Sequence, residues 1–226
     1  VPVKANKRRA GQDGRVSDDD PTVATPIFPD LLVETIIARI PLGERALVVI
    51  DGADAAAPVE FAGRVRDRIR SGARACEVID LHDFVRPASL RFEYSRTDEL
   101  SYRTSWFDFD ALGREVLAPM LPGGRGSFLP RLWDESSDRS ARARLEVAAP
   151  DQVLIVAGPT LLGRIGNAAV TVHLSLSAGA LRRRTPTDQQ WTIDPLVEYY
   201  SNADTRPDLL VRWDHPDRPA LMGSLP

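Results

Sequence analysis

One loop between two hydrophobic runs raises the first chemical question. In VVIDGADAAAPVEFAGRV (48–65) an apolar run ends at Gly52 and a helical pattern begins near Pro58. A glycine turn between a strand and a helix is where backbone N–H groups cradle phosphate, in the pattern G-x-x-x-x-G-K-[ST]. Laid on Gly52, the pattern puts its second glycine at Ala57, its lysine at Pro58 and its Ser/Thr at Val59, with Asp54 inside the loop. Ala57 adds a methyl group where the backbone should approach phosphate. Pro58 brings neither charge nor an N–H, and Val59 has no oxygen for a magnesium ion. Losing one oriented donor commonly costs about 10²–10³ in rate, and three functions go together here. The only lysines are Lys4 and Lys7, so any replacement charge must come from arginine. Arg64 and Arg66 follow on the helix, at positions turned away from the loop mouth.

Other chemistries are weaker. His82, His173 and His215 are far apart and lack metal-ligand spacing, so no metal site is expected. His173 lies inside an apolar strand and reads as a satisfied core residue. The single cysteine, Cys76, excludes an intrachain disulfide and reads as a buried small hydrophobe, which points to the cytoplasm. LRRRT (181–185) reads as a solvated helix end or an anion site.

These residues need a framework. PDLLVETIIARI (29–40) places Leu32, Ile36 and Ile40 at helical spacing, with Asp30 as N-cap. PVEFAGRVRDRIRSG (58–72) does the same with Phe61, Val65 and Ile69, opened by Pro58 and closed near Gly72. FDALGREVLAPML (109–121) is a further helix. ALVVID (46–51), ACEVIDL (75–81), DQVLIVAG (151–158), AVTVHLSL (169–176) and DLLVRWD (208–214) are apolar runs of strand length. Strands alternating with helices predict a parallel sheet covered on both faces. The Pro/Gly-rich segment from Ala118 to Ala143 is a long insertion, with SDRSARAR (137–144) an exposed helix or loop.

The chain has 226 residues and a net charge of −3, so nothing draws it generally to nucleic acid, and no apolar run is long enough to span a bilayer. Residues 1–29 read as a flexible charged tail, whose KANKRR alone could meet nucleic acid or an acidic partner; residues 30–226 read as one domain.

Several segments, in order over about 30–221, resemble the uridine kinase family of P-loop nucleoside kinases, especially its actinobacterial-type members. They are DLHDFVRP (80–87), SYRTSWFDFDAL (101–112), FLPRLWD (128–134), VLIVAGPTLL (153–162) and PDLLVRWDHPDRPAL (207–221). The resemblance implies an α/β, P-loop kinase-like three-layer sandwich with a mostly parallel sheet of about five strands. It implies a nucleoside pocket facing Phe84, Arg86, Tyr102, Arg103, Trp106 and Asp108, and a phosphate lid at Arg182, Arg183 and Arg184. Pro87, Ser105 and Asp110 are also kept. The departures fall on the chemistry. The family's base toward the nucleoside hydroxyl is replaced by His82, with Asp83 beside it, and the acid expected near magnesium is Ala157. The leading expectation is a uridine-kinase-like pseudokinase acting as a binding, regulatory or scaffold protein, without a cofactor. It would have a protein partner or a second copy of itself, or a nucleoside, as its partner. One alternative is an active kinase with a rebuilt site, using ATP or GTP and magnesium with His82 or Asp83 as base. A second is a nucleoside sensor that binds through Phe84, Tyr102 and Trp106.

Overall fold

The structure, a computed structural model, describes residues 24–223. All five apolar runs become strands: β2 (Ala46–Asp51), β3 (Cys76–Asp80), β4 (Val153–Gly158), β5 (Val170–Ser175) and β6 (Leu209–Arg212). With β1 (Ala24–Pro26) and β7 (Ala220–Met222) they form one sheet in the order β1-β7-β6-β5-β2-β4-β3. The five central strands are mutually parallel. β7 runs antiparallel to β6, and β1 antiparallel to β7, so the sheet has seven strands rather than about five. The two extra strands, the edge strand β1 and β7 beside it, have three residues each and pair through backbone hydrogen bonds, so they leave little hydrophobic signature. β1 also lies inside the segment expected to be a tail; residues 1–23, including KANKRR, lie outside the described residues.

Side chains of β2 alternate between the two faces of the sheet, and both faces are buried. Val48 and Ile50 join a core with α1 (Pro29–Ile37) and α2 (Pro58–Ser71), where Phe61, Val65 and Ile69 form the buried stripe of α2. Burying each of these three contributes roughly 1.5–3 kcal/mol. α1 starts two residues earlier than expected: Phe28, not Asp30, is the cap, Pro29 opens the helix, and Asp30 pairs with Arg64. Leu47 and Val49 face the opposite core, with α3 (Glu99–Thr104), α4 (Phe109–Leu112, continued by a π-helical turn Gly113–Leu117 and by Ala118–Met120) and α6 (Ile193–Ser201). α5 (Ala178–Arg184) precedes α6. The long insertion is not structureless. Ser127–Phe128 pairs with Glu146–Val147, and Trp133–Asp134 with Arg139–Ser140, so 137–144 contains a short exposed strand and no helix.

Cys76 is 1% exposed in the core, and burial pushes its thiol up to about 12. The folded protein is expected to leave this thiol unreacted with a disulfide reagent at pH 8, and to release one equivalent only in denaturant. Rapid titration before unfolding would contradict this burial. Among the described residues no helix is long and apolar enough to cross a membrane.

The chain leaves β2 toward β3 on one side of the sheet and leaves β5 toward β6 on the other. The carboxyl ends of β2 and β5 therefore flank a topological switch point, where α/β sheets place their ligand sites.

Candidate functional site

The loop after β2 is closed on itself. Asp54–Ala56 form a 3-10 turn, and Ala57 takes the left-handed conformation at φ 53° and ψ 53°. Gly52 N–H donates to Gly158 O at 3.1 Å, Ala56 N–H to Ala53 O at 2.7 Å, and Ala57 N–H to Asp54 O at 2.8 Å. The indole of Trp213 donates to Ala56 O at 2.9 Å and pins the turn from below. Three amides of the loop are thus spent inside the protein, and Pro58 has none to offer. Gly52 is required for packing: a Cβ there would lie 3.0 Å from the Leu174 carbonyl oxygen of β5.

Beside the loop lies a cavity of about 500 Å³, in the size range of small-molecule sites. Ala57, Pro58 and Val59 form one wall, Tyr102, Trp106 and Trp191 another, and Asp54, Glu60, Asp80 and Glu135 bring four carboxyl groups. Among the described residues His82 brings the single basic side chain, and no lysine or arginine lines this cavity. Its imidazole Nδ1 lies 2.7 Å from Glu135 Oε2, and Nε2 lies 3.1 Å from Asp54 Oδ1. Burial opposes the charged ring, but hydrogen bonds and attraction to Asp54 and Glu135 outweigh it and hold His82 well above its ordinary value. As imidazolium it donates from both nitrogens and has no lone pair for a substrate proton. Burial, working against the hydrogen bond from His82 N–H (2.9 Å), raises the Asp80 carboxyl above its usual range.

Arg91, 3% exposed, anchors Glu135 from behind with Nη1 at 2.6 Å from Oε1. Asp83 does not share the cavity. It pairs with Arg131 Nε at 2.6 Å, and its carbonyl accepts Leu132 N–H at 3.0 Å.

The expected nucleoside pocket divides. Tyr102 and Trp106 line the cavity, while Phe84 is wholly buried in the core. Asp108 caps α4, accepting Ala111 N–H at 2.9 Å, and its own N–H donates to Phe84 O at 2.7 Å. Arg86 N–H donates to Trp106 O at 2.9 Å, which fixes these two segments side by side. Arg103 pairs with Glu198 at a separate groove, and Asp110 is exposed. Of the expected lid, Arg182 and Arg183 are exposed at the end of α5. Arg184 borders a smaller cavity on the other side of the loop, where its guanidinium donates to Trp213 O at 3.2 Å and Asp214 O at 2.6 Å. Arg64 and Arg66 pair with Asp30 and Asp67, away from the loop.

Sequence reasoning missed Asp80, Glu60, Glu135 and Trp191. Asp80 and Glu60 flank motifs that drew attention to other residues. Glu135 was one step beyond FLPRLWD, and nothing in the sequence around Trp191 marks it.

It also missed Asp51, which is wholly buried at the end of β2. Its Oδ1 accepts Leu161 N–H at 2.7 Å and Leu162 N–H at 3.2 Å, and Tyr200 hydroxyl lies 3.4 Å away. Its Oδ2 lies 2.5 Å from His173 Nδ1, so His173 is a partnered core residue. This network ties β2, β5, α6 and the turn after β4 together beneath the switch point.

No protein-family model matches the chain, and no curated protein matches it in sequence. Solved structures do. A uridine kinase candidate from Bacillus stearothermophilus superposes with a TM-score of 0.63 at 16% identity, over 80% of this chain and 96% of that one. A fructose transport system kinase candidate from Silicibacter sp. TM1040 gives 0.66 at 17% identity, over 81% and 98%. The YGR205w protein gives 0.55 at 10% identity, over 87% and 99%. The fold is that of uridine-kinase-like P-loop kinases.

Proposed function

We propose that this chain is a kinase-fold protein that has lost phosphoryl transfer and works as a binding or regulatory protein. One observation carries the reading: where P-loop kinases present a lysine, a hydroxyl and free amides to a triphosphate, this chain presents Pro58, Val59 and a closed turn facing carboxyl groups. Bringing a nucleoside triphosphate there would set it against four carboxyl groups with the His82 imidazolium as the one cationic side chain among the described residues, and Pro58 and Val59 offer neither the charge nor the hydroxyl that ATP with magnesium would use. The two expected bases are also engaged, His82 as an imidazolium and Asp83 with Arg131.

The test is phosphorylation of uridine, cytidine and fructose, the last two chosen to widen the acceptor range, with ATP or GTP and magnesium. The expected turnover is below about 0.01 s⁻¹, against the roughly 1–100 s⁻¹ of ordinary kinases. Turnover in the ordinary range would sink the reading and favour a rebuilt site, for which Arg184 beside the loop is the available cation.

A further inference from the structure

We propose that a second cavity, over β5 and β6 and beneath α5 and α6, binds a small apolar molecule carrying a hydroxyl group, with that hydroxyl against Nε2 of His173. This site is separate from the cavity beside the loop, and the inference goes beyond the binding-protein reading without depending on it.

Sheet register builds the floor. Val172 and Leu174 of β5, and Leu209 and Val211 of β6, turn into the core with α1 and α2. His173 and Leu210 lie between them in sequence, so their side chains turn to the other face. They are also register partners on these two neighbouring strands, which sets them side by side. Leu181 of α5 and Val197 and Tyr200 of α6 close over them and leave about 460 Å³, in the size range of small-molecule sites. Among the described residues no carboxyl group lines this space, and its one arginine, Arg206, is exposed.

The imidazole is the second observation. His173 is 8% exposed, and its Nδ1 is held by Asp51 Oδ2 at 2.5 Å. Oδ1 of the same carboxylate accepts two amide N–H groups, and the Tyr200 ring lies 4.5 Å from the imidazole, centroid to centroid. The ring is thus fixed, with Nδ1 toward the buried acid and Nε2 on the far edge. Nε2 has no hydrogen-bond partner among the described residues. Nor is it one of the side-chain polar atoms that the fold seals off without a partner, which are Arg86 Nε, the Tyr102 hydroxyl, Arg103 Nε and Thr160 Oγ1. Nε2 is therefore accessible, and the space that His173 lines is this cavity.

The ligand class follows from the lining. One open ring nitrogen among aliphatic walls calls for one hydrogen bond and no charge. A hydroxyl supplies that bond in either protonation state, donating to bare Nε2 or accepting from Nε2–H. Leu181, Val197 and Leu210 take the apolar body, whose removal from water supplies the affinity.

The probe is p-cresol, with toluene as its twin without the hydroxyl and p-toluate as its anionic counterpart. Each is titrated into the full chain and followed by calorimetry and by the histidine ring resonances in NMR. The resonances missing from His173→Phe identify those of His173. We expect p-cresol to bind with a Kd below about 1 mM and to shift the His173 resonances, and toluene to bind about tenfold more weakly. His173→Phe keeps a ring and removes the nitrogen, so it should bring p-cresol to the level of toluene. That change also strips Asp51 of a partner, so a second variant is needed. Val197→Trp fills the cavity from a half-exposed position, leaves the Asp51–His173 pair intact, and should weaken p-cresol about tenfold. Melting curves of both variants check the fold. No p-cresol binding at about 10 mM would overturn the proposal, as would binding that leaves the His173 resonances unmoved or survives Val197→Trp undiminished. So would equal binding of toluene, or tighter binding of p-toluate, which would assign the polar contact to Arg206. None of these results touches the loss of phosphoryl transfer, which the turnover assay judges separately.

Discussion

Asp51→Ala is expected to lower the melting temperature by roughly 10 °C, the largest stability effect of any single change at this site. The carboxylate is wholly buried and meets two backbone amides, His173 and Tyr200. Alanine leaves those donors in a place that water does not reach. Removing one member of such a buried network typically costs about 3–5 kcal/mol. For a chain of this size each kcal/mol shifts the midpoint by roughly 2–4 °C. Asp51→Asn keeps one carbonyl oxygen for the Leu161 and Leu162 amides, so it should lose less. Differential scanning calorimetry of the two variants makes the comparison. A shift below about 2 °C for Asp51→Ala would mean that water enters and replaces the carboxylate.

His82→Gln is expected to change how stability depends on pH. His82 is held well above its ordinary value in the folded protein and titrates near 6.5 when unfolded. A raised folded value means that the folded state binds the proton more tightly. The stabilisation is therefore fully present below about pH 6.5 and is lost as pH rises through the folded value. The groups facing the ring are Asp54, Glu135 and, through the adjoining strand end, Asp80. Asp80 is also raised, which contributes the same sign but in the acid range, below the window of His82. Urea unfolding of the parent should become easier as pH rises above about 6.5, while the variant should show a flatter profile there. Equal slopes in both proteins would show that the imidazolium is not the group responsible. The same variant leaves Asp54 and Glu135 without their shared cation, so it should be less stable than the parent near neutrality.

The five central strands and α2 could be read from the chain because both faces of this sheet are covered. Burial on both sides demands unbroken apolar runs such as ALVVID and VLIVAG, and a helix on the sheet demands Phe61, Val65 and Ile69 on one stripe. The short outer strands β1 and β7 carried no such demand, since three residues paired by backbone need no hydrophobic alternation. The make-up of the loop was equally plain, because Pro58 and Val59 lack a charge and a hydroxyl in any conformation. The site around it was not. Phe84, Asp108 and Arg103 were expected to face the pocket, and the structure uses them in the core, as a helix cap and in a distant ion pair. Neighbours in sequence turn different ways on a short 3-10 segment, so His82 enters the cavity and Asp83 leaves it.

By itself, then, the sequence determined the α/β framework and the lack of a side-chain charge or hydroxyl at 57–59. Hydrophobic periodicity and the covalent nature of a residue are local properties. Only the tertiary structure decided what surrounds that loop. Glu135 comes from a ribbon more than fifty residues beyond His82, Trp191 from the segment before α6, and Glu60 from the first turn of α2. Their convergence on one cavity depends on chain crossings that no local pattern encodes, and the sign of the site's charge follows from that convergence.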